Sequence, residues 1–150
     1  MVLKTSSRGQ IPAFIVMDVM QAAAEREAAK EAVYHLEVGQ PGTSAPAGVI
    51  EAARAALDDD RLAYTVALGL PELRRAIAKR YTDYYGADVA PERIVVTTGS
   101  SGGFVLAFLS VFDVGDRVAM AAPGYPCYRN ILSALGIEPV LLMTDASHRF

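Results

Sequence analysis

The sequence predicts an α/β protein in which a helical N-terminal part precedes a β-α-β-α-β unit. The chain has 150 residues, 52% hydrophobic and 21% charged, which is typical of a folded domain with a sizeable core. Up to about residue 85 the apolar residues recur at helical spacing, whereas after Pro91 short apolar runs alternate with helical segments. These runs do not alternate with polar residues, which is typical of parallel strands covered on both faces.

Three helices are predicted in the N-terminal part, at residues 12–32, 46–57 and 71–85. The beginning of the first is either helix or an extended arm. The acidic run at 58–60 follows the second helix as a solvated turn, and Gly86 is placed to end the third. Arg74 and three other basic residues flank the apolar stripe of the third helix. We interpret them as a solvated face and not as a nucleic-acid groove, because the net charge of the chain is -3.

The second part predicts strands at 94–96, 118–122 and 140–143, with helices at 101–112 and 125–135 between them. Gly136 is placed to end the second of these helices. The helix predicted at 101–112 is apolar on every side, and such a helix is buried on all sides in a folded protein. Three strands and three outer helices can hardly cover it. We therefore expect these residues to be the front part of a longer polypeptide, or to need a partner chain.

Several function classes have no support in the sequence. The single cysteine, Cys127, excludes an intrachain disulfide, and with His35 and His148 it forms no metal-ligand spacing. No apolar run approaches the ~20 residues that a membrane-spanning helix needs. The N-terminus does not resemble a signal peptide, because Pro12 and Asp18 interrupt its apolar stretch. The expected location is the cytoplasm.

The glycine- and serine-rich loop at 97–103 lies between a predicted strand and a helix N-terminus, where unpartnered N–H groups and the helix dipole suit a phosphate. The loop could also be a turn that binds nothing. Gly99-x-Ser101-x-Gly103 matches the nucleophile elbow of α/β-hydrolases, but the downstream partners are reduced to His148 and the nearby Asp145. A dinucleotide site would need a different glycine spacing. The remaining alternative is a phosphate-bearing cofactor.

Four segments, in order along the chain, resemble the class I and II aminotransferases, the fold-type I pyridoxal-phosphate enzymes related to aspartate aminotransferase. The segments are residues 35–42 with Pro46, 64–77, 95–103 and 122–128. The resemblance implies an N-terminal helical arm and partial small domain, followed by the first β-α-β-α-β of a large domain of the pyridoxal-phosphate-transferase type. It divides the chain into an arm with the substrate loop (1–45), a helical segment (46–90) and a truncated start of the cofactor domain (91–150).

The resemblance also implies site residues. Gly99, Ser100 and Ser101 would hold the phosphate of pyridoxal 5'-phosphate, which agrees with the argument from the loop itself. Tyr125 would stack on the pyridine ring, and Gly39 would lie beside the substrate carboxylate. Tyr64 would reach the cofactor phosphate of a neighbouring subunit, so the resemblance implies a homodimer.

The implied reaction moves an amino group from an amino acid to a 2-oxo acid. Carbon–sulfur lyases of the same family share these motifs and stay an alternative. Outside the family, a serine hydrolase using Ser101 and a non-catalytic phosphate-binding module also stay open. The lysines of this chain, Lys4, Lys30 and Lys79, all precede the phosphate loop, so the Schiff-base lysine of the family has no counterpart here. We therefore expect no catalytic residue in this chain and no transaminase turnover from it alone.

Overall fold

A computed structural model of the chain describes residues 3–59 and 62–148, and within them the predicted α/β class is confirmed. The helices of this part are α1 (Ile15–Ala28), α2 (Ala47–Asp58), α3 (Pro71–Tyr85), α4 (Gly99–Val111) and α5 (Pro126–Ala134), and its strands are β1 (Arg117–Ala122) and β2 (Glu138–Met143). Short 3-10 turns lie at Ser7–Gly9, Pro91–Arg93 and Ala146–His148. The chain forms two compact units: one contains the residues up to Gly39 and from Thr98 onward, and the other is Gln40–Thr97.

In the first unit, β1 and β2 form a parallel pair connected through α5. The register runs from Arg117 opposite Glu138 to Ala122 opposite Met143. Leu132 of α5 is the most deeply buried side chain of the described residues, at 1% exposure, and Ile137, directly before β2, is also buried. Gly136 follows the end of α5, as the sequence predicts. It adopts a positive φ of 78°, and the N–H of Ile137 donates to the Leu132 carbonyl at 2.9 Å, which ends the helix.

The structure corrects the prediction of a strand at 94–96. This segment is extended but pairs with no strand in the described part of the chain. Its polar groups have other partners: Val96 N–H donates to the Leu68 carbonyl at 3.0 Å, and Arg74 Nε donates to the Ile94 carbonyl at 2.8 Å. A β-branched run favours an extended backbone, but a strand also needs a neighbouring ladder, which the sequence pattern alone does not supply.

The second unit contains α2 and α3. α3 begins at Pro71 and ends at Tyr85, and Gly86 directly after it adopts φ 65°, as predicted. α2 ends at Asp58, and Asp60 of the predicted acidic turn lies outside the described residues. Arg74 corrects the interpretation of α3 as a fully solvated basic face: it is half-buried, and its guanidinium donates to the carbonyls of Ile94 and Pro91.

Helix α1 is shorter than the predicted 12–32 at both ends. The segment before it contains the turn at Ser7–Gly9 and then extended residues, so the alternative of an arm describes this stretch. The helix ends at Ala28, and Lys30 takes a positive φ of 63° shortly afterwards. Such a backbone conformation is unfavourable for a residue with a Cβ atom.

The apolar helix α4 is not covered by the described residues. None of its residues is buried, and Leu106, Leu109 and Val111 are each more than half exposed. This agrees with the expectation that the 150 residues cannot enclose it. The strands are likewise not covered on both faces here, since β1 alternates between exposed and half-buried residues and the end of β2 is exposed.

Candidate functional site

The loop that the sequence predicts to bind a phosphate lies at the start of α4. Gly99 opens the helix with φ 72°, a conformation that favours glycine. Thr98 precedes it and makes no side-chain hydrogen bond to the first turn, and residues 98–101 are exposed. A Cβ atom at Gly99 would meet nothing within 4 Å, so this side of the loop is open. The first residues of the helix are therefore exposed at its positive dipole end.

The starts of α4 and α5 lie side by side. Ser101 Oγ lies 3.5 Å from Cys127 Sγ, and the rings of Phe104 and Tyr128 lie 4.3 Å apart. Tyr125 directly precedes α5, its ring lies 5.3 Å from that of Tyr128, and it is 52% exposed. The structure thus places an exposed aromatic ring directly before α5, whose start contacts the helix start that carries the predicted phosphate ligands.

Tyr125 also lines an apolar cavity of about 530 Å³ in the same unit. Its wall combines the N-terminal arm, α1, the segment before Gly39 and the start of α5. The lining residues are Phe14, Val16, Met17, Met20, Glu37, Val38, Gly39, Tyr125 and Pro126. The structure therefore brings Gly39 and Tyr125, two predicted site residues, to one cavity.

Two contacts connect the arm that lines this cavity to Tyr125 and to α5. Phe14 packs its ring edge-to-face on Tyr125 at 6.2 Å, and Asn130 Nδ2 donates to the Pro12 carbonyl at 3.2 Å. Sequence reasoning missed the apolar residues of the arm as cavity residues. The apolar run at 11–17 is a signal of burial, but nothing local indicates that it meets α5.

One acidic cluster adjoins the cavity. His35 Nδ1 lies 2.7 Å from Glu37 Oε1, and His35 Nε2 lies 2.9 Å from Glu27 Oε1. The hydrogen bond to Glu37, followed by that to Glu27, raises the pKa of His35 to about 9. The bond from His35 lowers the pKa of Glu37 below its ordinary value. The sequence predicts only a structural role for His35, and it does not single out Glu37.

Tyr64 lies in the second unit. Its side chain is fully exposed, and with Leu62 and Ala63 it lines a shallow hollow of about 280 Å³. Its predicted reach to a neighbouring subunit stays a prediction.

The described side chains give the hydrolase alternative no further support. The Ser101 hydroxyl has the Cys127 thiol as its partner, while the ring of His35 is bonded to two glutamates. Asp145 accepts hydrogen bonds from the nearby Ser147, so it serves a local turn. Among residues 3–59 and 62–148 no three His, Cys, Asp or Glu side chains are grouped to hold a metal ion, and no helix is long and apolar enough to cross a bilayer.

Comparisons with known proteins identify relatives for nearly the whole chain. Residues 31–150 match the family described as aminotransferase class I and II. The chain is 55% identical over 147 residues to the valine–pyruvate aminotransferase of Mycobacterium tuberculosis, covering 98% of this chain and 38% of that protein. It is 33% identical over 126 residues to an aspartate aminotransferase of Pyrococcus horikoshii, covering 84% of this chain and 32% of that protein.

Solved structures give the same result for the fold. A crystal structure of an aminotransferase from Mycobacterium tuberculosis matches with a TM-score of 0.92 and 54% identity, covering 99% of this chain and 38% of that one. Aspartate aminotransferase from Thermus thermophilus with maleate matches with a TM-score of 0.91 and 28% identity, covering 98% of this chain and 39% of that one. The chain thus spans little more than a third of the length of these relatives.

Proposed function

This chain belongs to the aminotransferase class I and II family, and we propose that it forms the N-terminal part of an enzyme that moves an amino group from an amino acid to a 2-oxo acid with pyridoxal 5'-phosphate. One observation carries the proposal beyond the family: Ser101 at the start of α4 contacts Cys127 at the start of α5, and the exposed ring of Tyr125 directly precedes α5. A phosphate site beside an aromatic platform suits a cofactor made of a phosphate and a flat ring. The same arrangement would serve the carbon–sulfur lyase alternative, and the relatives named as aminotransferases are what favour amino-group transfer.

The residues at the start of α4 fit the phosphate. Gly99 has no Cβ atom, and the space that a Cβ atom would point into is empty within 4 Å, so an anion can approach the backbone closely. Ser100 and Ser101 add hydroxyl donors on the first turn of the helix, and both are exposed. The dipole of the helix favours negative charge at this end. We propose that Gly99, Ser100 and Ser101 hold the cofactor phosphate.

Tyr125 and the apolar cavity suit the pyridine ring of the cofactor and the substrate. The half-exposed ring of Tyr125 offers a face on which a pyridine ring can stack. When bound, the cofactor supplies an electron-accepting ring for the negative charge that develops at the substrate Cα. Gly39, on the cavity wall, would leave room for the substrate carboxylate. The apolar lining suits an aliphatic side chain, in line with the relative named for valine and pyruvate.

Two further parts of the proposal rest on the resemblance. Tyr64 would contact the cofactor phosphate of a second copy, giving a homodimer, and its full exposure leaves it available for this. The cofactor lysine would have to lie outside these 150 residues, so this chain alone would bind the cofactor weakly and catalyse no transfer. Measurable amino-group transfer by the purified chain would contradict that expectation.

The phosphate site can be tested by binding pyridoxamine 5'-phosphate, which carries no aldehyde and so cannot react with surface lysines. Phosphorus NMR of a titration with the chain should show binding. The double variant Ser100→Ala with Ser101→Ala should weaken it about tenfold, because two hydroxyl donors to a charged phosphate are lost. The control is Ser110→Ala on the same helix, whose hydroxyl donates to the Ala107 carbonyl away from the helix start.

Three outcomes would contradict the proposed site. The first is an absence of binding at millimolar ligand, and the second is equal weakening by the control variant. The third is equal affinity for pyridoxamine without its phosphate, since the helix start would then contribute nothing.

A further inference from the structure

The apolar cavity contains one carboxylate. Among its described lining residues Glu37 is the only side chain that is charged at neutral pH, and this side chain is 11% exposed. A carboxylate in largely apolar surroundings needs a charged or hydrogen-bonding partner to remain ionised. Arg129 is not that partner: it lines an adjacent hollow of about 210 Å³.

The partner of Glu37 is His35, whose hydrogen bonds indicate its charge. Each ring nitrogen of His35 lies within 2.9 Å of a carboxylate oxygen, one from Glu37 and one from Glu27. A neutral imidazole has only one N–H, so its other nitrogen would direct a lone pair at a carboxylate. Both contacts are favourable only when the ring is an imidazolium that donates twice. The raised pKa of His35 and the lowered pKa of Glu37 agree with this state.

The cluster is therefore one cation between two anions, and only one anion faces the cavity. His35 and Glu27 are not among the residues that line it. A ligand in the cavity meets the Glu37 carboxylate first, and the cluster as a whole keeps a net negative charge. No lysine or arginine among the described residues lines the cavity to offset it.

Resting on the proposed function, we propose that Glu37, positioned by His35, determines substrate specificity by keeping amino acids and 2-oxo acids with an acidic side chain out of the apolar cavity. Like charges repel each other, and water screens this repulsion only in part at a carboxylate whose side chain is 11% exposed. An uncharged aliphatic side chain meets no such repulsion and buries its apolar surface against Val38, Met17 and Met20. The predicted preference is for aliphatic over dicarboxylic substrates.

The test compares two ligands of similar size, 4-methyl-2-oxopentanoate and 2-oxoglutarate, which differ mainly in the charge of the side-chain end. Their dissociation constants are measured on this chain from the methyl resonances of Met17 and Met20, which line the cavity. The aliphatic ligand should bind about tenfold more tightly. Glu37→Gln should reduce this ratio to about one by improving the binding of 2-oxoglutarate. The control Glu27→Gln should retain the ratio, since Glu27 does not line the cavity.

The positioning role of His35 has its own readout. In His35→Gln the carboxyl resonance of Glu37 should titrate at a higher pH than in the unmodified chain, because the cation that stabilises the carboxylate is gone. An unchanged titration of Glu37 would overturn the role of His35.

The outcomes separate this inference from the proposed function. Equal binding of the two ligands by the unmodified chain, or a ratio unaffected by Glu37→Gln, would overturn the inference and leave the proposed function standing. If neither ligand perturbed Met17 or Met20, the cavity would not be a substrate site, and the proposed use of the cavity would fall together with the inference.

Discussion

Replacing Gly69 by alanine should destabilise the second unit more than replacing Gly86 by alanine. Gly69 precedes α3 with φ 96°, and its N–H donates to the Val66 carbonyl at 2.9 Å. A Cβ atom at this position would lie 2.6 Å from both Cβ and Cγ2 of Val96. Two carbon atoms that are not bonded to each other cannot lie this close, so the loop at Gly69 or residues 94–96 would have to move.

The magnitude has two parts. A residue with a Cβ atom at positive φ costs about 1–2 kcal/mol. Forcing an extra methyl group into a packed contact costs about 1–3 kcal/mol more. Gly86→Ala isolates the first part, because Gly86 has φ 65° and a Cβ atom there would meet nothing within 4 Å. The difference between the two variants in free energy of unfolding should therefore be about 1–3 kcal/mol.

The assay is urea denaturation followed by far-ultraviolet circular dichroism, which reports the loss of helix and needs no tryptophan, a residue that this chain lacks. Amide exchange at Val96 adds a local measure, because its N–H donates to the Leu68 carbonyl next to Gly69. If Gly69→Ala cost no more than Gly86→Ala and left the exchange at Val96 unchanged, the close contact between Gly69 and Val96 would be refuted.

Other predictions follow from single residues. The pKa of His35 is raised from 6.5 to about 9, so its stabilising contribution should be complete below pH 6.5 and disappear as the pH rises through 9. Proton NMR of the ring and urea denaturation at each pH would measure the titration and the stability together. The pKa of Glu37 is lowered from 4.5, so its contribution to stability should be present above pH 4.5 and be lost as the pH falls through the lowered value. A urea denaturation midpoint that does not change across both pH ranges would contradict the ion cluster. Leu132→Ala should lower the free energy of unfolding by about 3 kcal/mol because the side chain is 1% exposed, and a loss below ~1 kcal/mol would show that it is not a core residue. Lys30→Gly should raise the free energy of unfolding by about 1 kcal/mol by relieving φ 63°, whereas Lys30→Ala should bring no such gain in the same urea titration.

Features that depend on neighbouring residues could be predicted from the sequence. Gly86 and Gly136 end their helices because a residue with positive φ is needed directly after the last turn, and Pro71 begins α3 because it lacks the N–H that the first turn does not use. The loop at Gly99 is predictable too, because a glycine at the start of a helix is a signal within the neighbouring sequence.

Features that depend on distant residues could not be predicted. Phe14 and Tyr125 share a cavity although more than a hundred residues separate them, and no local pattern indicates that contact. Arg74 resembles its exposed basic neighbours on α3, and only the position of the Pro91 and Ile94 carbonyls reveals its buried role. The run at 94–96 has the composition of a strand, but its pairing depends on a ladder that no described segment provides.

The uncovered flank of α4 has a consequence for the biogenesis of this polypeptide. Leu106, Leu109 and Val111 on this flank are each more than half exposed and would be directed outward when the helix forms during synthesis. Nascent chains that display such surfaces adhere to one another and are captured by chaperones that recognise apolar segments. Production of these residues should therefore depend on chaperone supply and on slow translation more strongly than the acidic net charge of the chain would indicate.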